Sequence, residues 1–154
     1  KSPKYLLFVA ALFFMMMGMW TPVFYIPKYA VSRGMSTTLV AYLLAIINGA
    51  STLGRIIPNF LADKCGRLNM FAFAGISTRI IIFYINRPTT NAGIIGYVVV
   101  FGFTSGTIMS TASAAISFCT ADTRNIRTYM GMGMAVAAIA ALIGPPINGT
   151  LIHR

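Results

Sequence analysis

Apolar residues run along this chain in five long blocks separated by short polar stretches, with no alternation at a period of two. The blocks cover roughly 5–26, 38–61, 68–85, 92–119 and 128–151, and most reach the ~20 residues a helix needs to cross a bilayer core. The first, YLLFVAALFFMMMGMWTPVFYI, carries no charge, and Pro22 and Pro27 are expected to bend or end it. Lys28 to Ser36 then reads as a polar connector, Asp63 to Arg67 as a charged turn, and Asn86 to Asn91 as a second connector. Asp122, Arg124 and Arg127 mark the turn before the last block, which Gly144-Pro145-Pro146 is expected to break. The pattern predicts an all-α membrane protein of five transmembrane helices. A β-barrel would need lipid-out, lumen-in alternation, which is missing.

Composition supports this reading. Hydrophobic residues make up 57% of the 154 and charged residues 9%, against about 25% charged in soluble domains. Twelve basic residues and two acids leave a net charge of +10. Those charges stand singly at block ends, where they set topology and meet phospholipid, and they form no stripe that would hold nucleic acid. Lys1, Lys4, Lys64, Arg67, Arg124 and Arg127 fall on one side of a five-span arrangement, and Lys28, Arg33, Arg87 and Arg154 on the other. The excess of positive charge favours a cytoplasmic N-terminus. Cys65 and Cys119 fall near turns assigned to that side, where thiols stay reduced. Two cysteines without histidine partners make no metal site, and no cofactor is expected. The chain opens on Lys1 and its first block is too long for a signal peptide, so the interior of a longer protein is expected.

The second block carries the chemistry. Asn48, Ser51, Thr52, Arg55 and Asn59 recur at spacings of three and four, which places them on one helix face. A polar line with a cation in it cannot face lipid cheaply and should look onto a bundle interior or a wet passage. Arg55 lies eight residues before Asp63, about 12 Å along a helix. Two readings stay open: a side chain snorkelling to the headgroups, or a guanidinium whose planar fork receives a carboxylate. Arg79, near the middle of the third block, has little polar company and reads as structural or incidental. Trp20 and Tyr25 could sit at an interface or face a cavity. Ser105, Thr107, Ser110, Thr111 and Ser113 either line a passage or let helices approach closely, like the small residues Gly102 and Gly106. The Met15–Met17 run reads as packing. The sequon at Asn148 is expected to be unmodified, and His153 solvated.

The stretch Asn48 to Arg67, NGASTLGRIIPNFLADKCGR, resembles the loop between helices eight and nine of the major facilitator superfamily, more narrowly its monocarboxylate-transporter-like branch common in fungi. Trp20 to Pro27 with Gly34-Met35-Ser36, Tyr97 to Gly106, and Tyr129 to Met132 with Gly144 to Ile147 are similar in the same order. The resemblance implies that the five blocks match helices seven to eleven of a twelve-helix transporter, without the N-terminal six-helix half and the last helix. It also implies that Arg55 matches the arginine that holds the substrate carboxylate. Family members often carry an aspartate one turn earlier for proton coupling; this chain has Ser51, which puts that coupling in doubt. Asp63, Lys64, Gly66 and Arg67 match a cytoplasmic gating motif, G-x-x-x-D-[RK]-x-G-R, whose first glycine is Asn59 here.

The function expected is transport of a small organic anion, a monocarboxylate, by alternating access in the plasma membrane. Arg55 receives the anion, Asn48, Ser51, Thr52 and Asn59 surround it, and Trp20 and Tyr25 shape the cavity. The alternative is a non-transporting membrane fragment with a structural or assembly role. An intramembrane enzyme is not expected, because Asp63, Asp122 and His153 are too few and too peripheral for acid–base work.

Overall fold

The computed structural model describes residues 3–84, 87, 89–119 and 124–152, apart from the side chains of Cys119, Asn148 and Ile152. Among them are five helices: α1 Pro3–Ser32, α2 Thr37–Cys65, α3 Arg67–Phe83, α4 Asn91–Cys119 and α5 Ile126–Ile152. Lys1, Asn86, Pro88, Asp122, His153 and Arg154, on which parts of the sequence reading rest, lie outside the described residues. The all-α, five-helix expectation agrees with the structure. Four helices, α1, α2, α4 and α5, are long and apolar enough to cross a membrane. The fifth, α3, has 17 residues and rises only about 26 Å, at the lower limit for a span.

Three expected boundaries are corrected. Pro22 and Pro27 do not end α1, which continues to Ser32, so the connector shrinks to four residues around Gly34. Helices in apolar surroundings tolerate proline because neighbouring groups take over the freed carbonyls. The stop is Gly34 instead. Its φ of 81° lets its N–H reach Val31 O at 3.0 Å while the Met35 N–H reaches back to Ala30 O at 3.1 Å, a Schellman closure. Met35, just past the glycine, is buried, as that motif favours.

Likewise α2 does not stop at Leu61. Asp63, Lys64 and Cys65 are helical, and the charged turn contracts to Gly66 alone, at φ 89°. Its N–H closes on Ala62 O at 3.0 Å, and α3 starts on the next residue. Finally, Gly144-Pro145-Pro146 does not break α5, which is continuous through both prolines. Helix starts follow hydroxyl caps. The Ser36 side chain accepts from the Leu39 N–H at 3.4 Å before α2, and Thr90 accepts from the Gly93 N–H at 3.3 Å before α4.

The chain forms two compact units, residues 1–21 with 112–154 and residues 22–111. In the first, the Tyr5 hydroxyl donates to Tyr129 O at 2.6 Å with the two rings edge-on at 4.9 Å. In the second, α2 and α4 meet backbone to backbone. A Cβ on Gly54 would collide with the Phe103 carbonyl oxygen, and one on Gly106 with the Ser51 carbonyl oxygen. A Cβ on Gly102 would stand 2.8 Å from Ile47 O. Leu43, Ile47, Gly54, Pro58 and Ala62 form the buried stripe of α2. Ser105, Thr107 and Thr111 of α4 are buried as well, which decides for close packing over a passage lining at those three. Large apolar side chains point outward instead, Leu7 at 77%, Phe60 at 73% and Leu142 at 79% exposure, as befits a chain solvated by lipid or by further helices.

The α2–α4 contact predicts a contrast between two glycines of α2 and α4. Gly106→Ala should destabilise the protein in detergent by about 1–3 kcal/mol, the scale of overpacking. Gly49→Ala, which meets nothing within 4 Å, should leave the thermal unfolding midpoint unchanged or raised.

Candidate functional site

The site is the sector of α2 that its packing on α4 leaves free. Arg55 follows Gly54 directly and so projects about 100° around the helix from the packed seam. Arg55, Asn59 and Asp63 recur at i, i+4 and i+8 on one face, and together with Ile56 and Phe60 they line an open groove of about 430 Å³. Arg55 itself is exposed. Among the described residues it makes no hydrogen bond or ion pair.

The carboxylate of Asp63 is engaged elsewhere. Arg67 Nη2 donates to Asp63 Oδ1 at 3.3 Å, with both side chains substantially exposed. The pair bridges the Gly66 break, tying the last turn of α2 to the first residue of α3. An exposed pair of this kind adds little stability, but it decides which cation Asp63 serves. Lys64 is exposed in the final turn of α2, where its charge suits the negative end of the helix.

Other predicted site residues separate from this core. Asn48 and Thr52 are exposed on the same sector, but Thr52 gives its proton to Asn48 O at 2.9 Å, so it has none left for a ligand. Ser51 is half-buried, and its carbonyl sits under Gly106 at the α4 seam. Tyr25 stacks on Tyr29 at 5.9 Å and is not among the groove residues. Trp20 belongs to the other compact unit. Arg79 is exposed and lies four residues from the end of α3, not near its middle.

The structure adds Ile56 and Phe60 to the site and gives Thr107, read from the sequence only as one of several span-four hydroxyls, a specific partner. Ile56 and Phe60, 51% and 73% exposed, supply the apolar wall beside Arg55. Thr107 of α4 donates to Gly54 O at 3.1 Å and lies 3.0 Å from its own helix's Phe103 O. Pro58, four residues past Gly54 with no N–H to offer it, was the sequence signal for such a partner. Chemically, the groove presents a guanidinium and a carboxamide one turn apart over an apolar wall. That arrangement suits a molecule with an anionic end and a hydrophobic body.

Comparison with known proteins agrees with this architecture. The chain is 48% identical over its whole length to the aspyridones efflux protein of Emericella nidulans, covering 32% of that protein. It is 36% identical to an MFS-type transporter of Aspergillus niger over 97% of the chain and 34% of the relative. With the agnestins efflux protein of Paecilomyces divaricatus it shares 28% over 99% of the chain and 35% of the relative. The chain thus spans about a third of the length of these relatives. Residues 1–153 match the family model of the Major Facilitator Superfamily, and with its long apolar helices the chain belongs to that superfamily as an integral, multi-pass membrane protein.

Proposed function

We propose that the chain forms part of a secondary transporter that carries a small organic anion, a monocarboxylate, by alternating access, with Arg55 receiving the carboxylate. The observation that carries this reading is the guanidinium of Arg55, which has no ion-pair partner among the described residues, beside an open groove. A cation held at membrane depth needs a counter-charge or water, and an anionic substrate supplies the first while the groove admits the second. The Asn59 carboxamide, one turn on, can donate to the same carboxylate. Ile56 and Phe60 would take an apolar substrate body, and Tyr25, of the same compact unit, is a candidate for the wider cavity. Two relatives are named for efflux, which supports outward movement. A cytoplasmic N-terminus and residence in the plasma membrane complete the proposal.

Asp63, Lys64, Gly66 and Arg67 serve as a gate in this reading. The Asp63–Arg67 pair locks the α2–α3 corner in one state and parts in the other. Its weakness as an exposed pair suits a contact that must break each cycle.

A second reading, assembly with other membrane chains without transport, is favoured by the many outward-facing apolar side chains. Reconstituting the 154 residues alone tests it. Uptake of labelled pyruvate by that chain would reject the assembly reading.

In the full-length protein, Arg55→Ala should abolish pyruvate uptake into proteoliposomes while membrane abundance stays at the wild-type level. Arg55→Lys should retain the charge but lose the bidentate fork, raising the half-saturation concentration by about tenfold. Uptake that survives Arg55→Ala unchanged would reject the assignment. For the gate, exchanging the two charges (Asp63→Arg with Arg67→Asp) should restore a transport rate that Asp63→Arg alone lowers.

A further inference from the structure

The groove explains what Arg55 could meet, but not what holds Arg55 in place on a helix that contains a proline one turn later. In a regular helix the Gly54 carbonyl accepts from the N–H of residue 58. That residue is Pro58, which has no N–H. Pro58 and Gly54 are both buried, so water has poor access to the freed oxygen, and an unpaired buried carbonyl is costly.

The structure fills the gap from the neighbouring helix. The Thr107 hydroxyl of α4, itself 5% exposed, stands within hydrogen-bond reach of two carbonyls, Gly54 O at 3.1 Å and Phe103 O of its own helix at 3.0 Å, and shares its one proton between them. Two features make the approach possible. Gly54 has no Cβ to strike the Phe103 carbonyl, and Gly106 has none to strike the Ser51 carbonyl. Ser51 O is in turn the helix acceptor for the Arg55 N–H. The carbonyl before Arg55 and the one that receives its N–H are therefore both held against α4, and the peptide carrying the guanidinium cannot rotate about the α2 axis without breaking them.

We propose that Thr107 is a positioning residue for Arg55: its hydroxyl substitutes for the backbone donor that Pro58 removes and so fixes the direction in which the guanidinium projects. The inference deepens the anion-receptor reading and rests on it. The assignment differs from a generic packing role because it names the chemical group that could replace Thr107. A backbone N–H at position 58 would serve Gly54 O directly and make the hydroxyl redundant.

The test is a coupled set of variants in the full-length protein, assayed for pyruvate uptake in proteoliposomes. Thr107→Val keeps the shape and removes the hydroxyl; it should raise the half-saturation concentration about three- to tenfold, the weight of one hydrogen bond, with the maximal rate less affected. Thr107→Ser keeps the hydroxyl and should stay within about twofold of wild type. In a Pro58→Ala background the Thr107→Val effect should fall below about twofold, because the N–H restored at position 58 now donates to Gly54 O. A second readout does not depend on the substrate. Arg55→Cys, in a full-length background with every other cysteine, Cys65 and Cys119 included, replaced by serine, is labelled with an anionic methanethiosulfonate. Its labelling rate should change with Thr107→Val and return when Pro58→Ala is added.

Damage from Thr107→Ser equal to that from Thr107→Val would overturn the proposal, as would a Thr107→Val effect undiminished by Pro58→Ala. Arg55→Ala separates the two levels. Uptake insensitive to Arg55→Ala rejects the anion receptor, whereas uptake lost with Arg55→Ala but indifferent to Thr107→Val rejects only the positioning.

Discussion

The second compact unit depends on the close approach of two backbones, α2 at Gly54 and α4 at Gly106. Lipid tails are as apolar as leucine, so no hydrophobic force drives helices together within a bilayer. Short-range packing and interhelical polar contacts have to do it. Both helices meet the requirement at the same place, each presenting a glycine to a carbonyl of the other. The orientation of α2 follows. Ile47, Ala50, Ser51 and Gly54 meet α4, and the sector bearing Asn48, Thr52, Arg55, Asn59 and Asp63 is left outside the contact. A guanidinium at this depth is thus placed by what lies beside it on the helix, more than by any partner of its own.

The same constraint explains how prolines coexist with unbroken helices. Pro22, Pro27, Pro58, Pro145 and Pro146 all lie inside helices. In water a proline interior to a helix costs ~3 kcal/mol, and ending the helix lets solvent satisfy the freed carbonyl. In hydrocarbon, ending the helix exposes several carbonyls instead of one, so continuing is the less unfavourable outcome. At Pro58 a single oxygen is left without its helix donor, and Thr107 reaches it.

That reversal also sets which parts of the fold were readable in the sequence. The five helices and their approximate centres follow from the apolar blocks, because block length and the absence of period-two alternation are local properties. The ends do not follow, because soluble-protein punctuation assigns stops to Pro27 and to the charged residues after Leu61. The chain stops instead at Gly34 and Gly66, whose positive φ values the local pattern does not reveal. Within the site, Arg55 and Asn59 were legible from spacing, whereas Asp63 entered only as part of the charged turn and the motif the resemblance implied. Thr107 was legible only as one of several hydroxyls of the fourth block; its link to Gly54 was not, since 53 residues separate them and only tertiary contact joins them. Thr52 looked like a ligand group by position, but its proton is committed to its own helix, which spacing cannot show.

Arg55 has two candidate sources of relief within its own helix end, and the geometry removes one of them. Asp63 is on the same face two turns on, about 12 Å along the axis, and pairs with Arg67 instead of Arg55. Arg67 takes that carboxylate at 3.3 Å from across the Gly66 break. A side chain stretched toward the headgroups along this face would therefore meet a carboxylate already neutralised, with Lys64 adding further positive charge beside it. In the proposed reading the counter-charge for Arg55 is an anion that arrives through the groove and leaves again, and the Asp63–Arg67 pair keeps the neighbouring carboxylate from taking that place.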